Sequence, residues 1–263
     1  MSNKKFSLPK DGGLLEDRLT AGVLHSYERI PVEVYDDASD ASSAVADIIV
    51  KEINSRPQGF RLGVTTGKTP LSLYHELAAR CAKGEVSFRN VEIFSIDEYS
   101  PFSPDAPQSR NHRLHEGLID RVDINPENFH VPGEDVEAFD KAAAGLDLLV
   151  LGVGERGQVG FNEPGSSDSS RTRTVVMAYQ TRKLQAKNFN GSLKDTPRAA
   201  VTMGIATMKS AKRIILMAWG ENKAEIVRQA VEDSADTACP ASLLQGHQDI
   251  RIFVDDNASA ELT

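Results

Sequence analysis

Two hydrophobic periods alternate along this chain. Ile30–Tyr35 (IPVEVY) alternates apolar and polar residues as a strand does, and Ala38–Ile53 carries apolar positions spaced for one face of a helix. Phe60–Val64 predicts a second strand, followed by a Gly/Thr/Pro turn and a helix from Leu71 to Cys81. Val91–Ile96 predicts another strand. Leu146–Val153 (LDLLVLGV) is a continuous apolar run, the pattern of a strand buried on both faces. Thr174–Met177 and Arg213–Ala218 predict two more strands, Asn222–Glu232 a helix, and Ile250–Val254 (IRIFV) a last strand. Such alternation implies an α/β fold, a mostly parallel sheet with helices on both faces. With no repeat, low-complexity tract or Pro/Ser-rich linker to divide it, the chain reads as one α/β domain over residues 26–263. An N-terminal extension covers residues 1–25.

Composition narrows the class. At 40% hydrophobic and 26% charged residues the chain is neither disordered nor fibrous. No apolar run approaches the ~18–20 residues of a membrane span, so no membrane partner is expected. The first residues lack the apolar core of a secretory signal. Cys81 and Cys239 form neither a disulfide framework nor a metal-ligand spacing, which points to the reducing cytoplasm. A net charge of −8 argues against a nucleic-acid partner. An acidic protein can still hold a small anion where cations and amides converge.

Ligands of open α/β sheets sit beyond the carboxyl ends of the strands. Four loops follow predicted strands there: Thr65–Pro70, Asp97–Arg113, Gly152–Ser170 and Gly220–Lys223. Thr65-Thr66-Gly67-Lys68-Thr69-Pro70, between a strand and a helix, suits an anion held by backbone N–H groups and the helix dipole. It is not a nucleotide-binding P-loop, because Gly63 stands one residue too close to Gly67 and Leu62 occupies the required position. A capped tight turn would also explain it. Gly152-Val153-Gly154-Glu155-Arg156-Gly157 matches G-x-G-x-x-G, but it runs into Phe161-Asn162-Glu163-Pro164-Gly165 instead of opening a helix. No carboxylate for a ribose follows in Arg171–Gln180, so a nicotinamide cofactor is not expected. In Asp97-Glu98 adjacent side chains point to opposite faces, so one of the pair is expected to face a cleft, as a general base or merely a cap. The six histidines show no metal spacing, and no G-x-S-x-G elbow is present.

Taken together these loops resemble the glucosamine-6-phosphate deaminase (isomerase) family, with 6-phosphogluconolactonases as more distant relatives. The resemblance is carried by TTGKTPLSLYHEL at Thr65, FSIDEY at Phe94, DLLVLGVGERGQVGFNEPGSS at Asp147, SRTR at Ser170, AVTMGIATMKSAKRIILMAWGENKA at Ala200 and PASLLQGHQD at Pro240. These stretches are collinear over roughly residues 60 to 255, and NEPGSS followed by SRTR points to the deaminase branch. The resemblance implies a Rossmann-like three-layer sandwich acting on an amino-sugar 6-phosphate, with no cofactor and no metal. It further implies Asp97 as the enolising base and Glu163 as the carboxylate assisting ring opening. Thr66, Gly67, Lys68 and Thr69 fall to the phosphate loop, Gly154 to the substrate pocket, and Lys223 to a phosphate-binding lysine. Lys187 stands where the family has an arginine, giving charge without a bidentate fork. The partner implied is a small-molecule sugar phosphate. A homo-oligomer is compatible with the sequence, which does not fix the state.

Departures from the family pattern bear on the chemistry. Its ring-opening loop reads Gly-x-Gly-x-Asp-Gly-His; here Arg156 replaces the aspartate and Gln158 the histidine. Glutamine can hydrogen-bond a sugar hydroxyl but cannot shuttle a proton at neutral pH. Of the basic residues of the family's allosteric pocket, Arg173 is present, whereas Val175 stands in place of a lysine. The stretch between Val131 and Leu146 is shorter than its family counterpart. The expected function is therefore amino-sugar 6-phosphate isomerisation and deamination with an altered ring-opening step. The alternative is a sugar-phosphate-binding homologue that has lost catalysis. Lactonase chemistry fits less well, since it too leans on the missing histidine.

Overall fold

The computed structural model describes residues 6–7, 28–101 and 106–263. The extension expected over residues 1–25 lies outside the described residues, Phe6–Ser7 apart. In chain order the strands are β1 (Phe6–Ser7), β2 (Val32–Tyr35), β3 (Phe60–Val64), β4 (Val91–Ser95), β5 (Asp97–Ser100) and β6 (Phe129–His130). They continue with β7 (Leu148–Gly152), β8 (Arg173–Val176), β9 (Ala199–Thr202), β10 (Ile214–Ala218) and β11 (Ile250–Asp255). The helices are α1 (Ala38–Ser55), α2 (Leu71–Ala82), α3 (Arg110–Gly117), α4 (Val136–Ala142), α5 (Tyr179–Gln185), α6 (Ile205–Lys209) and α7 (Ala224–Val231).

Eight strands form the main sheet in the order β1-β2-β11-β10-β7-β3-β4-β6. Every neighbouring pair is parallel except β1 with β2. The period-2 pleat explains the unbroken apolar run at β7. Leu148 and Val150 join the core formed with α1, α2 and α3, including Val45, Leu77 and Leu114. Leu149 and Leu151 face the opposite core, with Ile205, Met208 and Val227 of α6 and α7. A strand covered on both faces needs apolar residues at every position. This is the expected α/β sandwich with a mostly parallel sheet and helices on both sides. No helix among the described residues is long and apolar enough to cross a membrane.

From β3 the chain steps outward through β4 to β6, whereas from β7 it steps the other way through β10 and β11. The strand order therefore reverses between β3 and β7, and a crevice opens beyond their carboxyl ends. Gly152 closes the approach there: a Cβ on it would stand 3.4 Å from Thr69 Cβ.

A second sheet of three antiparallel strands, β5-β9-β8, was not anticipated. The chain crosses into it at Ile96, whose N–H donates to the Val64 carbonyl at 3.0 Å and whose carbonyl accepts from Met203 N–H at 2.8 Å. The segment Asp97–Arg113, read as a loop, is thus strand at its start and helix at its end. Two carboxylates opening DEYS hid the strand. The expected helix at Asn222–Glu232 begins instead as a 3-10 turn, Glu221–Lys223, ahead of α7, and the predicted strand Leu146–Val153 is shorter at both ends.

Candidate active site

A cleft of about 370 Å³ lies over the β3/β7 switch, inside the ~300–1,000 Å³ range of small-molecule sites. Its walls come from all four singled-out loops, together with α5 and the turn after it. Gly67, Lys68 and Thr69 line one side, Gly154, Gln158 and Glu163 another, and Lys187 and Lys223 reach in from the turn Ala186–Phe189 and from Gly220–Lys223. Trp219 at the end of β10 donates its indole N–H to the Thr69 carbonyl at 2.8 Å, tying two walls together. The side-chain ammonium groups of Lys68, Lys187 and Lys223 have no hydrogen bond or ion pair among the described residues. Burial lowers the pKa of Lys223, while Glu155 acts the other way.

Asp97 and Glu98 have separate fates, as their opposite orientation requires. Glu98 caps α3: it accepts from Arg110 N–H at 3.1 Å and from Asn111 N–H at 3.0 Å, and the Ser109 hydroxyl donates to it. A carboxylate at a helix N-terminus satisfies orphan donors and complements the dipole. Asp97 points the other way and is fully buried. Its carboxylate accepts from the Thr66 hydroxyl, from Arg110 Nε at 2.8 Å and from an Arg110 terminal nitrogen at 3.3 Å. Burial disfavours the Arg110 cation, but Asp97 and Tyr99 together more than offset this and hold its pKa above the usual guanidinium value. Asp97 and Thr66 do not line the cleft, contrary to the simplest reading of the motif. They stand behind Thr65, Arg110 and Gly160, which do. Gly160 makes this close approach possible: its φ is +60°, and a Cβ there would meet Thr202 Oγ1 at 2.7 Å and Asp97 Oδ2 at 3.3 Å.

The altered loop after β7 is a closed turn. Gly154 N–H donates to the Gln158 carbonyl at 2.8 Å, and Gly157 N–H to the Gly154 carbonyl at 2.9 Å. The Gln158 carboxamide folds back over Gly154, where any Cβ would fall within 2.1–2.5 Å of it. Its Oε1 accepts from Arg156 N–H at 2.9 Å. The Arg156 guanidinium stands 3.9 Å from Glu163 Oε2 and is not among the lining groups of the cleft. Glu163 also accepts from Ala178 N–H at 3.2 Å through both oxygens, so it caps α5, which has no other side-chain cap.

Sequence reasoning missed Arg110, Arg113 and Thr181. The two arginines, at i and i+3 just after the N-cap Ser109, share one face of α3 and both line the cleft. The cap was the signal that could have exposed them. Thr181 is buried against the cleft with no hydrogen-bond partner for its hydroxyl among the described residues. Arg173 is engaged elsewhere, donating to Asn162 Oδ1 at 2.9 Å.

Comparisons with known proteins agree with this architecture. Residues 36–252 match the family model described as glucosamine-6-phosphate isomerases/6-phosphogluconolactonase. A glucosamine-6-phosphate deaminase of Shewanella loihica is 38% identical over 88% of this chain and 89% of its own length. Glucosamine-6-phosphate deaminase 2 of Bacillus subtilis is 36% identical over 88% and 95%. Among solved structures, a monomeric glucosamine-6-phosphate deaminase superposes with a TM-score of 0.82 at 33% identity, covering 88% of this chain and 99% of that one. The 6-phosphogluconolactonase of Trypanosoma brucei shares the fold, with a TM-score of 0.68 at 18% identity over 88% of this chain and 98% of that one. With a crevice at the switch point, walls built from the expected loops and a family match across most of its length, the chain belongs to the glucosamine-6-phosphate isomerase/6-phosphogluconolactonase family.

Proposed function

We propose that the protein is an amino-sugar 6-phosphate isomerase/deaminase, converting a 2-amino-2-deoxyhexose 6-phosphate to a ketohexose 6-phosphate and ammonia. The observation that carries this reading is the convergence, at one crevice, of an amide-rich loop flanked by unpaired lysines with a buried carboxylate beside it. The phosphate sits against the N–H groups of Gly67–Thr69, with Lys68, Lys187 and Lys223 as counter-charges. Charge-assisted hydrogen bonds of ~1.5–3 kcal/mol each would hold it in a protein of net charge −8.

Asp97 is the base that moves a proton from C2 to C1 of the open-chain sugar. Arg110 covers it, so the transfer requires that Arg110 turn from Asp97. Glu163 assists opening of the ring, with its charge tempered by Arg156 at 3.9 Å. Gln158 can hydrogen-bond a hydroxyl but carries no proton, so supply of open-chain sugar limits turnover. The residues proposed here need neither a metal nor a nicotinamide for these steps.

A second reading, a binding protein without turnover, is favoured by the same Arg156 and Gln158. Calorimetry with a hexosamine 6-phosphate and with the unphosphorylated hexosamine tests the phosphate assignment. The phosphate ester is expected to bind at least ~100-fold tighter, the equivalent of about two charge-assisted bonds. Equal affinities would overturn it.

A further inference from the structure

Arg113 is a cation that the proposed chemistry leaves without a task. It lies one turn beyond Arg110 on α3, lines the same cleft and is half-buried. Its guanidinium makes no hydrogen bond or ion pair among the described residues. Burial lowers its pKa and so does the neighbouring Arg110 guanidinium, while Tyr99, Asp97 and Glu98 act in the opposite direction. A partly desolvated guanidinium beside another guanidinium is unfavourable until an acceptor reaches it. The two carboxylates that act on it are already engaged, Asp97 by Arg110 and Thr66, and Glu98 by the first turn of α3. The acceptor must therefore come with the ligand. The planar fork of donors on arginine suits an anionic oxygen.

We propose that Arg113 binds the C1 oxygen of the open-chain substrate and stabilises the negative charge that develops there during enolisation. The proposal rests on the sugar-phosphate reading above and adds an electrophile to it. As Asp97 takes the C2 proton, the C2–H electrons form the C1=C2 bond and the carbonyl pair moves onto O1, where Arg113 donates. Asp97 then returns the proton to C1, leaving an iminium at C2. The iminium nitrogen gives a proton to O1, and water adds at C2 to release ammonia. Positioned donors aimed at developing charge commonly account for large rate effects.

Two probes separate the ends of the cleft. A hexitol 6-phosphate offers the phosphate and hydroxyls without charge at C1. A five-carbon aldonohydroxamic acid 5-phosphate offers the same phosphate with a head whose ionised form resembles the enolate. Calorimetric titration of both into the wild type, Arg113→Ala and Arg113→Lys is the test, with thermal melting as the folding control. Arg113→Ala is expected to weaken the hydroxamate about 10- to 100-fold and the hexitol phosphate by no more than about twofold. Arg113→Lys recovers part of the loss. Weakening of both probes alike, or of neither, overturns the proposal. A wild type that binds both with this selectivity but releases no ammonia supports the Arg113 contact and overturns the deaminase reading. A wild type that binds neither overturns both.

Discussion

Arg110 Nε lies 2.8 Å from Asp97 Oδ1, with the Asp97 side chain fully buried and that of Arg110 only 8% exposed. The pair joins β5 to α3, and the Arg110 guanidinium also sits 4.7 Å from the centre of the Phe161 ring. A buried pair is weak evidence of net stability, yet removing one partner strands the other in a low-dielectric wall. Arg110→Met is therefore expected to destabilise the protein by about 3–5 kcal/mol, read by urea denaturation. The double change Asp97→Leu/Arg110→Met should cost clearly less than the sum of the single changes. Additive costs would mean the two groups do not depend on each other.

The altered loop gives a second expectation. Arg156→Asp with Gln158→His restores a proton-carrying pair, and ammonia release from the cyclic sugar should rise by about 10²-fold or more. Arg156→Asp alone replaces an attraction with a repulsion opposite Glu163, and Gln158→His alone leaves Arg156 beside the new imidazole. The single changes should therefore give little gain, and the pair much more than their sum. Unchanged ammonia release by Gln158→Ala in the parent would contradict the place given to this loop.

Lys223 sets a pH dependence. Burial lowers its pKa from the ordinary value of 10.5, so it loses its charge at lower pH than a free lysine. Below that lowered pKa the folded state carries an unfavourable buried charge. Above it, up to the unfolded value, the folded state binds fewer protons than the unfolded chain, so Lys223 adds stability as pH rises. Phosphate-ester affinity moves the opposite way, falling with rising pH before 10.5 is reached. Calorimetry from neutral pH upward checks this: Lys223→Arg should hold its affinity across the range in which the wild type declines. Parallel declines would assign the loss to another group.

Much of this arrangement was legible from the residues. Period-2 and continuous apolar runs located six of the eight strands of the main sheet, the two-residue β1 and β6 excepted, because burial on one or both faces leaves a direct trace in composition. The alternation of elements implied the crevice, and the loops after β3, β7 and β10 carried Lys68, Lys223 and its glycines. What escaped were elements whose identity depends on partners distant in the chain. β5 begins with Asp97 and Glu98, which are tolerated in a strand only because α3 and Arg110 neutralise them. Arg110 and Arg113 fell at the end of a segment read as a loop, since nothing local states that they share a helix face meeting a cleft. The sealing of Asp97 likewise depends on Gly160, sixty-three positions away and held at positive φ.

The central claim is that Asp97 at this crevice moves a proton on an amino-sugar phosphate. The most direct test measures ammonia and ketohexose 6-phosphate released from 2-amino-2-deoxyhexose 6-phosphates, both anomers, by excess wild-type protein and by Asp97→Asn. The account predicts equal amounts of the two products from the wild type. Asp97→Asn should release none while it still binds the phosphate ester. Sugar-phosphate binding without ammonia in the wild type, or ammonia release undiminished in Asp97→Asn, would contradict it.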